Sequence, residues 1–368
     1  MKVLFVTNIP SPYRVNFFNE LGKLCDLTVI FEKGYSSERN AEWRKYSFDN
    51  FNGIILDGIS TSVDNAFSFK ILKYLNQKWD YIIMAAYSTP TGMLAIQYMK
   101  SKHIPYWIEG DGGFAKSGKG FKEVVKKYFI SGAQGYFSTS SEHDKYYLTY
   151  GAEPGKIFRY PFTSLKADDI VPAISDSALK KTLRQKLNLK ENKIIISVGR
   201  FSYRKGYGKG YDILLKTVKY LSSDTGIYII GDKPTEEFIS LKNKHHLEQV
   251  HFLDFKKKDE LFDYYYASDL FVLLSRGEAW GLVINEAMAC GLPVITTDRC
   301  IAGLELVEND INGYIVPVDN VAETAEKIKL CLLPENNQKF SRKSLEKIQG
   351  YTFEKMAQRH IEVLKNNE

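Results

Sequence analysis

The chain has 368 residues, 44% of them hydrophobic and 26% charged, with a formal net charge of +6 at pH 7. This is the composition of a soluble globular protein, and the length suits two domains better than one core. No apolar run is long enough to span a bilayer, which excludes a membrane-spanning protein of the helical kind.

Four cysteines (Cys25, Cys290, Cys300, Cys331) show no C-x-x-C spacing and read as reduced thiols of a cytosolic protein. Charge is unevenly placed. Residues 1–165 carry 20 Lys and Arg against 15 Asp and Glu, while the remainder carries 30 against 29.

Met1–Thr7 (MKVLFVT) is short and β-rich without a small-residue cleavage site, so it reads as a first strand and not as a signal peptide. Further strands are predicted near Leu27–Phe31, Gly53–Leu56, Asp80–Ala85, Pro105–Ile108, Gly135–Ser138 and Lys156–Tyr160. Helices at Val15–Leu24, Phe67–Asn76 and Gly92–Lys102 lie between them. The strands are short continuous apolar runs, as expected when helices cover both faces of a parallel sheet. From Phe162 to about Asn192 the chain is polar and holds one helix-like piece, Ser177–Leu187, which reads as the connection between domains.

The alternation then resumes with strands at Lys193–Val198, Ile227–Ile230, Val250–Leu253, Leu270–Leu274, Val294–Thr296 and Tyr314–Val316. Helices at Tyr211–Leu221, Asp259–Ala267, Val283–Cys290 and Val321–Leu332 connect them. Thr352 is placed to cap a last helix, Phe353–Lys365. The expected fold class is α/β, with two doubly wound Rossmann-like domains over 1–165 and 166–350 and a tail at 351–368. Two such domains facing a central cleft offer a ligand site there.

Gly113–Lys119 fits G-x-x-x-x-G-K, but Gly120 follows where a P-loop needs Ser or Thr, so the match is treated as chance. Across 116–129, Lys116, Lys119, Lys122, Lys126 and Lys127 interleave with Phe121, Val124, Val125, Tyr128 and Phe129. Such a helix fits an anionic membrane surface, and equally an ordinary helix with its apolar side in the core. No recognition motif supports nucleic acid as a partner. His245, His246 and His251 read as surface residues at a polar helix end, so no metal site is expected.

After the strand ending at Val198 comes a glycine-rich basic loop, Gly199–Asp212, whose backbone and charge suit a diphosphate. The most telling segment is Ser275–Thr297, SRGEAWGLVINEAMACGLPVITT. It reads as turn, helix and strand following an apolar strand, and its turn lies at the carboxyl end of that strand, where open α/β sheets bind ligands. Gly281 lets backbone approach a ligand, and the helix it opens presents N–H groups to a phosphate. Glu278 lies before this helix and Glu286 about a turn and a half inside it. Carboxylates beside a phosphate cradle suit sugar hydroxyls, as an acidic residue holds ribose in dinucleotide folds.

With its paired glutamates, this segment resembles the E-x7-E signature of the retaining glycosyltransferases of family 4, which have the GT-B fold. The resemblance implies that Glu278 contacts the donor sugar, Gly281 and Leu282 the diphosphate, and Glu286 the ribose. Gly199-Arg200-Phe201 and Lys209-Gly210-Tyr211-Asp212-Ile213-Leu214 also resemble that family, which implies Arg200 and Lys209 on the diphosphate, with Lys205 as a competing cation. Gly231-Asp232 and Ala302-Gly303-Leu304-Glu305 resemble it more weakly and read as structural. Similar proteins send their last helix back across onto the first domain, which is the expectation for 351–368.

The first half departs from the family. Where many relatives have a Gly-Gly loop after the first strand, this chain has Ile9-Pro10-Ser11-Pro12-Tyr13-Arg14, and Arg14 is expected to supply charge to the donor. Where many carry a histidine after the Pro105–Ile108 strand, Glu109-Gly110-Asp111-Gly112-Gly113 stands here, and His103 is a poor substitute. Glu109 and Asp111 are expected either to meet a sugar or acceptor hydroxyl or to serve as turn residues.

The resemblance implies transfer of a hexose or N-acetylhexosamine from a nucleotide-sugar, UDP-linked by expectation, to a glycan or lipid-linked acceptor. It further implies retention and no metal or other cofactor, at a cytoplasmic site or on the cytoplasmic membrane face. Rival readings are a sugar-nucleotide epimerase or hydrolase and a non-catalytic nucleotide-sugar-binding partner. A dehydrogenase is not the expectation, because no G-x-G-x-x-G follows the first strand.

Overall fold

The structure, a computed structural model, describes residues 1–36, 46–115, 118, 120–170 and 177–367. The chain forms two compact units, Met1–Thr163 with Thr352–Glu368, and Ser164–Tyr351.

The first unit runs β1 (Lys2–Thr7), α1 (Pro12–Leu21), β2 (Asp26–Phe31), β3 (Asn52–Ile55), β4 (Ile59–Ser60), β5 (Ala66–Phe67), α2 (Ile71–Leu75) and β6 (Tyr81–Met84). It continues through α3 (Pro90–Ser101), β7 (Trp107–Glu109), α4 (Phe121–Ile130), β8 (Gly135–Ser138), α5 (Ser141–Thr149) and β9 (Ile157–Arg159). Seven strands make one parallel sheet in the order β3-β2-β1-β6-β7-β8-β9. The apolar runs are buried on both faces because helices cover both; in β1 every residue after Lys2 is buried.

The expected helix over Phe67–Asn76 is shorter at its start. Phe67 pairs with Ile59 in the β4–β5 hairpin, the Ser68 N–H donates to Thr91 Oγ1 at 3.0 Å, and α2 begins at Ile71. Pairing with a neighbouring segment outweighs local helix preference here.

The second unit runs α6 (Ser177–Lys186), β10 (Lys193–Val198), α7 (Tyr211–Thr217), β11 (Thr225–Gly231), α8 (Glu236–Lys244), β12 (Val250–Asp254), α9 (Lys258–Ala267) and β13 (Leu270–Leu273). Then follow α10 (Leu282–Ala289), β14 (Val294–Thr297), α11 (Ile301–Leu306), β15 (Gly313–Val316), α12 (Val321–Cys331) and α13 (Pro334–Ile348). The sheet order β12-β11-β10-β13-β14-β15 is parallel throughout and reverses direction between β10 and β13. That reversal opens a crevice outside the carboxyl ends of β10 and β13. His251, expected on the surface with His245 and His246, lies on β12 with Nε2 2.7 Å from Glu191 Oε1.

The last helix, α14 (Phe353–Lys365), belongs to the first unit. Thr352 caps it, accepting from the Lys355 N–H at 3.4 Å. Phe353, Met356, Ala357, His360, Ile361, Val363 and Leu364 are buried, the spacing of one helical face. That face packs beside α1, and Tyr81 Oη donates to the Leu364 carbonyl at 2.8 Å. Met356→Ala is therefore expected to cost about 2–5 kcal/mol by leaving a cavity at this seam. Urea unfolding of the variant beside the parent checks it.

Candidate functional site

At the crevice of the second unit, β10 leads into Gly199 and Arg200, the latter half-buried. Asp232, just after β11, accepts from the N–H groups of Phe201 and Ser202 and so holds the start of the loop. Gly231-Asp232 is thus a structural feature here. Lys205 is exposed in the left-handed region (φ 54°). Lys209 turns inward, its Nζ 2.5 Å from Glu278 Oε2. Gly210 follows at φ 68°, a conformation glycine adopts without strain.

After β13 the chain bends through Ser275–Gly281. Glu278 Oε2 also accepts from Ser275 Oγ at 3.3 Å, and the Glu278 N–H donates to the Arg299 carbonyl at 2.8 Å. Gly281 sits at φ 108°, and a Cβ there would meet Cys300 Sγ at 3.1 Å. Leu282 opens α10, so its N–H and that of Val283 have no acceptor within the helix. One and a half turns on, Glu286 Oε1 accepts from Ser164 Oγ at 3.0 Å and Oε2 from Tyr265 Oη at 3.4 Å. Burial pushes the Glu286 carboxyl up, with the Ser164 bond opposing. Ala302-Gly303-Leu304-Glu305 lies within α11, where Gly303 packs on Thr296 and Glu305 accepts from Tyr351 Oη.

The first unit assembles a different cluster at the carboxyl end of β7. Arg14, in the first turn of α1, is buried and reaches Glu109 Oε1 with one terminal nitrogen and Asp111 Oδ1 with the other. Glu109 is fully buried; its Oε2 lies 3.0 Å from His360 Nε2 of α14, and its Oε1 also accepts from Tyr160 Oη at 3.3 Å. Asp111 accepts from Tyr13 Oη at 2.9 Å, and 36% of its side chain is exposed. Burial raises the Glu109 carboxyl, but Arg14 and His360 outweigh it and hold it down at about 2. For Asp111 burial prevails over Arg14, and the carboxyl is pushed up.

Residues 180–347 match the family Glycosyl transferases group 1. The chain carries a group 1 glycosyltransferase domain. It is 24% identical over 278 residues to an N,N'-diacetylbacillosaminyl-diphospho-undecaprenol alpha-1,3-N-acetylgalactosaminyltransferase of Campylobacter jejuni, covering 72% of this chain and 70% of that one. It is 34% identical over 183 residues to an uncharacterized glycosyltransferase of Haemophilus influenzae, spanning 47% of this chain and about half (49%) of the relative. Among solved structures, Anabaena Alr3699/HepE in complex with UDP aligns over 100% of both chains with a TM-score of 0.77 at 17% identity. The fold class is that of the GT-B glycosyltransferases.

The glycosyltransferase domain holds Arg200, Lys205, Lys209, Glu278, Gly281, Leu282 and Glu286, and brings Lys209 onto Glu278 across the β10–β13 crevice. Two expectations in the first unit need correction. Arg14 does not stand open to a donor phosphate, because both ends of its guanidinium hold carboxylates of its own unit. Glu109 does not reach a substrate, because it is fully buried with both oxygens engaged; Asp111 is the carboxylate that meets solvent. Lys116, Ser117 and Lys119 lie outside the described residues, so of the 116–129 stretch only α4 and the residues before it at 118 and 120 are described. Sequence reading missed His360, Tyr13 and Tyr160 around Glu109 and Asp111, and Ser164 and Tyr265 around Glu286. The apolar positions of α14 recur at i, i+3 and i+4 with His360 among them, a signal that could have placed it on the buried face but that names no partner.

A carboxyl held below its ordinary value stabilises the fold above the unfolded-state pKa, about 4.3 for Glu, and loses that contribution as pH falls toward the folded value. Thermal melts between pH 5 and pH 2 should therefore show a smaller acid loss of Tm in Glu109→Gln than in the parent. Arg14→Met, which strands the buried carboxylate, should cost about 3–5 kcal/mol at pH 7 by denaturant unfolding.

Proposed function

We propose that this glycosyltransferase moves a hexose or N-acetylhexosamine from a UDP-sugar to a glycan or lipid-linked acceptor, with retention and without a metal. The observation that carries the reading is the Lys209–Glu278 contact at 2.5 Å beside the glycine turn that opens α10. It sets a cation, a carboxylate and helix N–H groups at one crevice, the groups that a diphosphate joined to a sugar requires. The UDP in the Anabaena structure and the undecaprenol diphosphate in the Campylobacter enzyme's name support the donor and acceptor classes.

In this reading Arg200, Lys209 and the amides at Gly281–Leu282 stabilise the departing diphosphate. Lys205 offers a second charge from its exposed position on the loop. The other carboxylate oxygen of Glu278 accepts from a sugar hydroxyl, and Glu286 accepts from the ribose. At the edge of the first unit, Asp111 receives an acceptor hydroxyl while Glu109 stays behind it as support.

The same reading places the protein on the cytoplasmic membrane face. In α4, Phe121, Val124 and Tyr128 are 83%, 64% and 45% exposed at helical spacing, and Lys122 and Lys127 stand exposed beside them. An apolar stripe with lysine flanks suits an anionic bilayer, into which the rings insert while the amines meet headgroups.

Calorimetry with UDP, GDP, ADP and their common sugar conjugates tests the donor. One nucleotide is expected to bind, with Glu286→Ala weakening it about tenfold, or about 1.4 kcal/mol. Glu278→Ala should weaken the sugar conjugate more than the bare diphosphate, and unchanged affinities would remove both roles. Sedimentation with phosphatidylglycerol vesicles tests α4. Lys122→Gln with Lys127→Gln, or Phe121→Ser alone, should reduce bound protein several-fold against neutral vesicles.

A further inference from the structure

Arg276, two residues before Glu278, gathers three segments around the crevice of the second unit. Its terminal nitrogens donate to both oxygens of Asp212 in the first turn of α7, at 2.8 and 2.9 Å. Its Nε donates to Asp319 Oδ1 after β15 at 2.7 Å. The basic loop is held twice, through Nη1 to the Tyr207 carbonyl at 2.6 Å and through the Arg276 N–H to the Gly208 carbonyl at 3.0 Å.

These contacts fall on the two residues directly before Lys209. On its other side Gly210 is fixed by the N–H groups of Ile213 and Leu214, which donate to its carbonyl. Lys209 is thereby pinned at both neighbours. The three residues before Tyr207 are not self-supporting, since Arg204, Lys205 and Gly206 all lie at positive φ (49°, 54° and 84°). Such backbone persists where surrounding contacts over-determine it.

Two carboxylates face this one guanidinium, and Lys216 Nζ is 3.7 Å from Asp212 as a weaker partner. Arg276 is therefore electrostatically satisfied within the protein and is not a phosphate ligand. Its planar fork matches Asp212 in a way that an ammonium does not.

We propose that Arg276 is a positioning residue, which with Asp212 and Asp319 holds Lys209 beside Glu278, where the diphosphate of a nucleotide-sugar would meet it. The proposal rests on the donor-site reading above. It adds that affinity for the terminal phosphate of the nucleotide is set by a residue that does not touch it.

The test compares a nucleoside diphosphate with its own monophosphate, by calorimetry on the full chain. The pair used is whichever of UDP/UMP, GDP/GMP or ADP/AMP the parent binds. Arg276→Lys should weaken the diphosphate about tenfold and the monophosphate less than twofold, and should add little when Lys209 is already Met. Asp319→Asn, at an exposed carboxylate, gives a milder loss of the same kind and serves if Arg276→Lys does not fold. Equal affinities in parent and variant, equal losses for both nucleotides, or full additivity with Lys209→Met would overturn the clamp. A parent that binds no nucleotide would instead overturn the donor-site reading itself.

Discussion

Everything functional in this protein follows from strands that all run one way. In each unit the main sheet is parallel throughout, and a parallel strand must be reached by a crossover of fixed hand. All the carboxyl ends therefore emerge at one edge, and the loops that leave them are neighbours whatever their separation in sequence. Lys209 and Glu278 are 69 residues apart, Arg276 and Asp319 43. They meet because β10, β13, β14 and β15 are adjacent and co-directional.

Charge pairing differs between the two edges. In the first unit Arg14, Glu109 and His360 are almost without solvent, where an isolated ion would be prohibitive and removal of one partner costs several kcal/mol. That cluster fixes α1, β7 and α14 to each other and exposes only Asp111. In the second unit Lys209 and Glu278 keep 14% and 22% of their side chains exposed. At an effective dielectric near 20 a unit pair at about 4 Å is worth about 4 kcal/mol, but water and counter-ions reach this one and weaken it. The buried cluster is suited to holding structure and the half-open pair to exchanging partners.

The glycosyltransferase signature was legible because its parts are local. Glu278, Gly281 and Glu286 lie within nine residues, and strand, turn and helix follow from composition alone. The assignment of Arg14 failed for the opposite reason. Prolines and a tyrosine precede it in sequence, and the carboxylates that hold it come from the end of β7 and the loop after it, 95 and 97 residues away. The β4–β5 hairpin was likewise invisible, since two-residue strands carry no periodicity. α13 was missed in a polar stretch that buries little apolar surface, chiefly Phe340 and Ile348.

The sequence by itself determined the α/β alternation, the two-unit organisation and the glycine turn that opens α10, because hydrophobic period and turn chemistry act over a few residues. Only the tertiary structure decided which carboxylate is open and which is buried, that His360 backs Glu109, and that Arg276 braces the loop carrying Lys209. Those outcomes depend on desolvation and on pairing between distant segments, and neither is a property of any short stretch of chain.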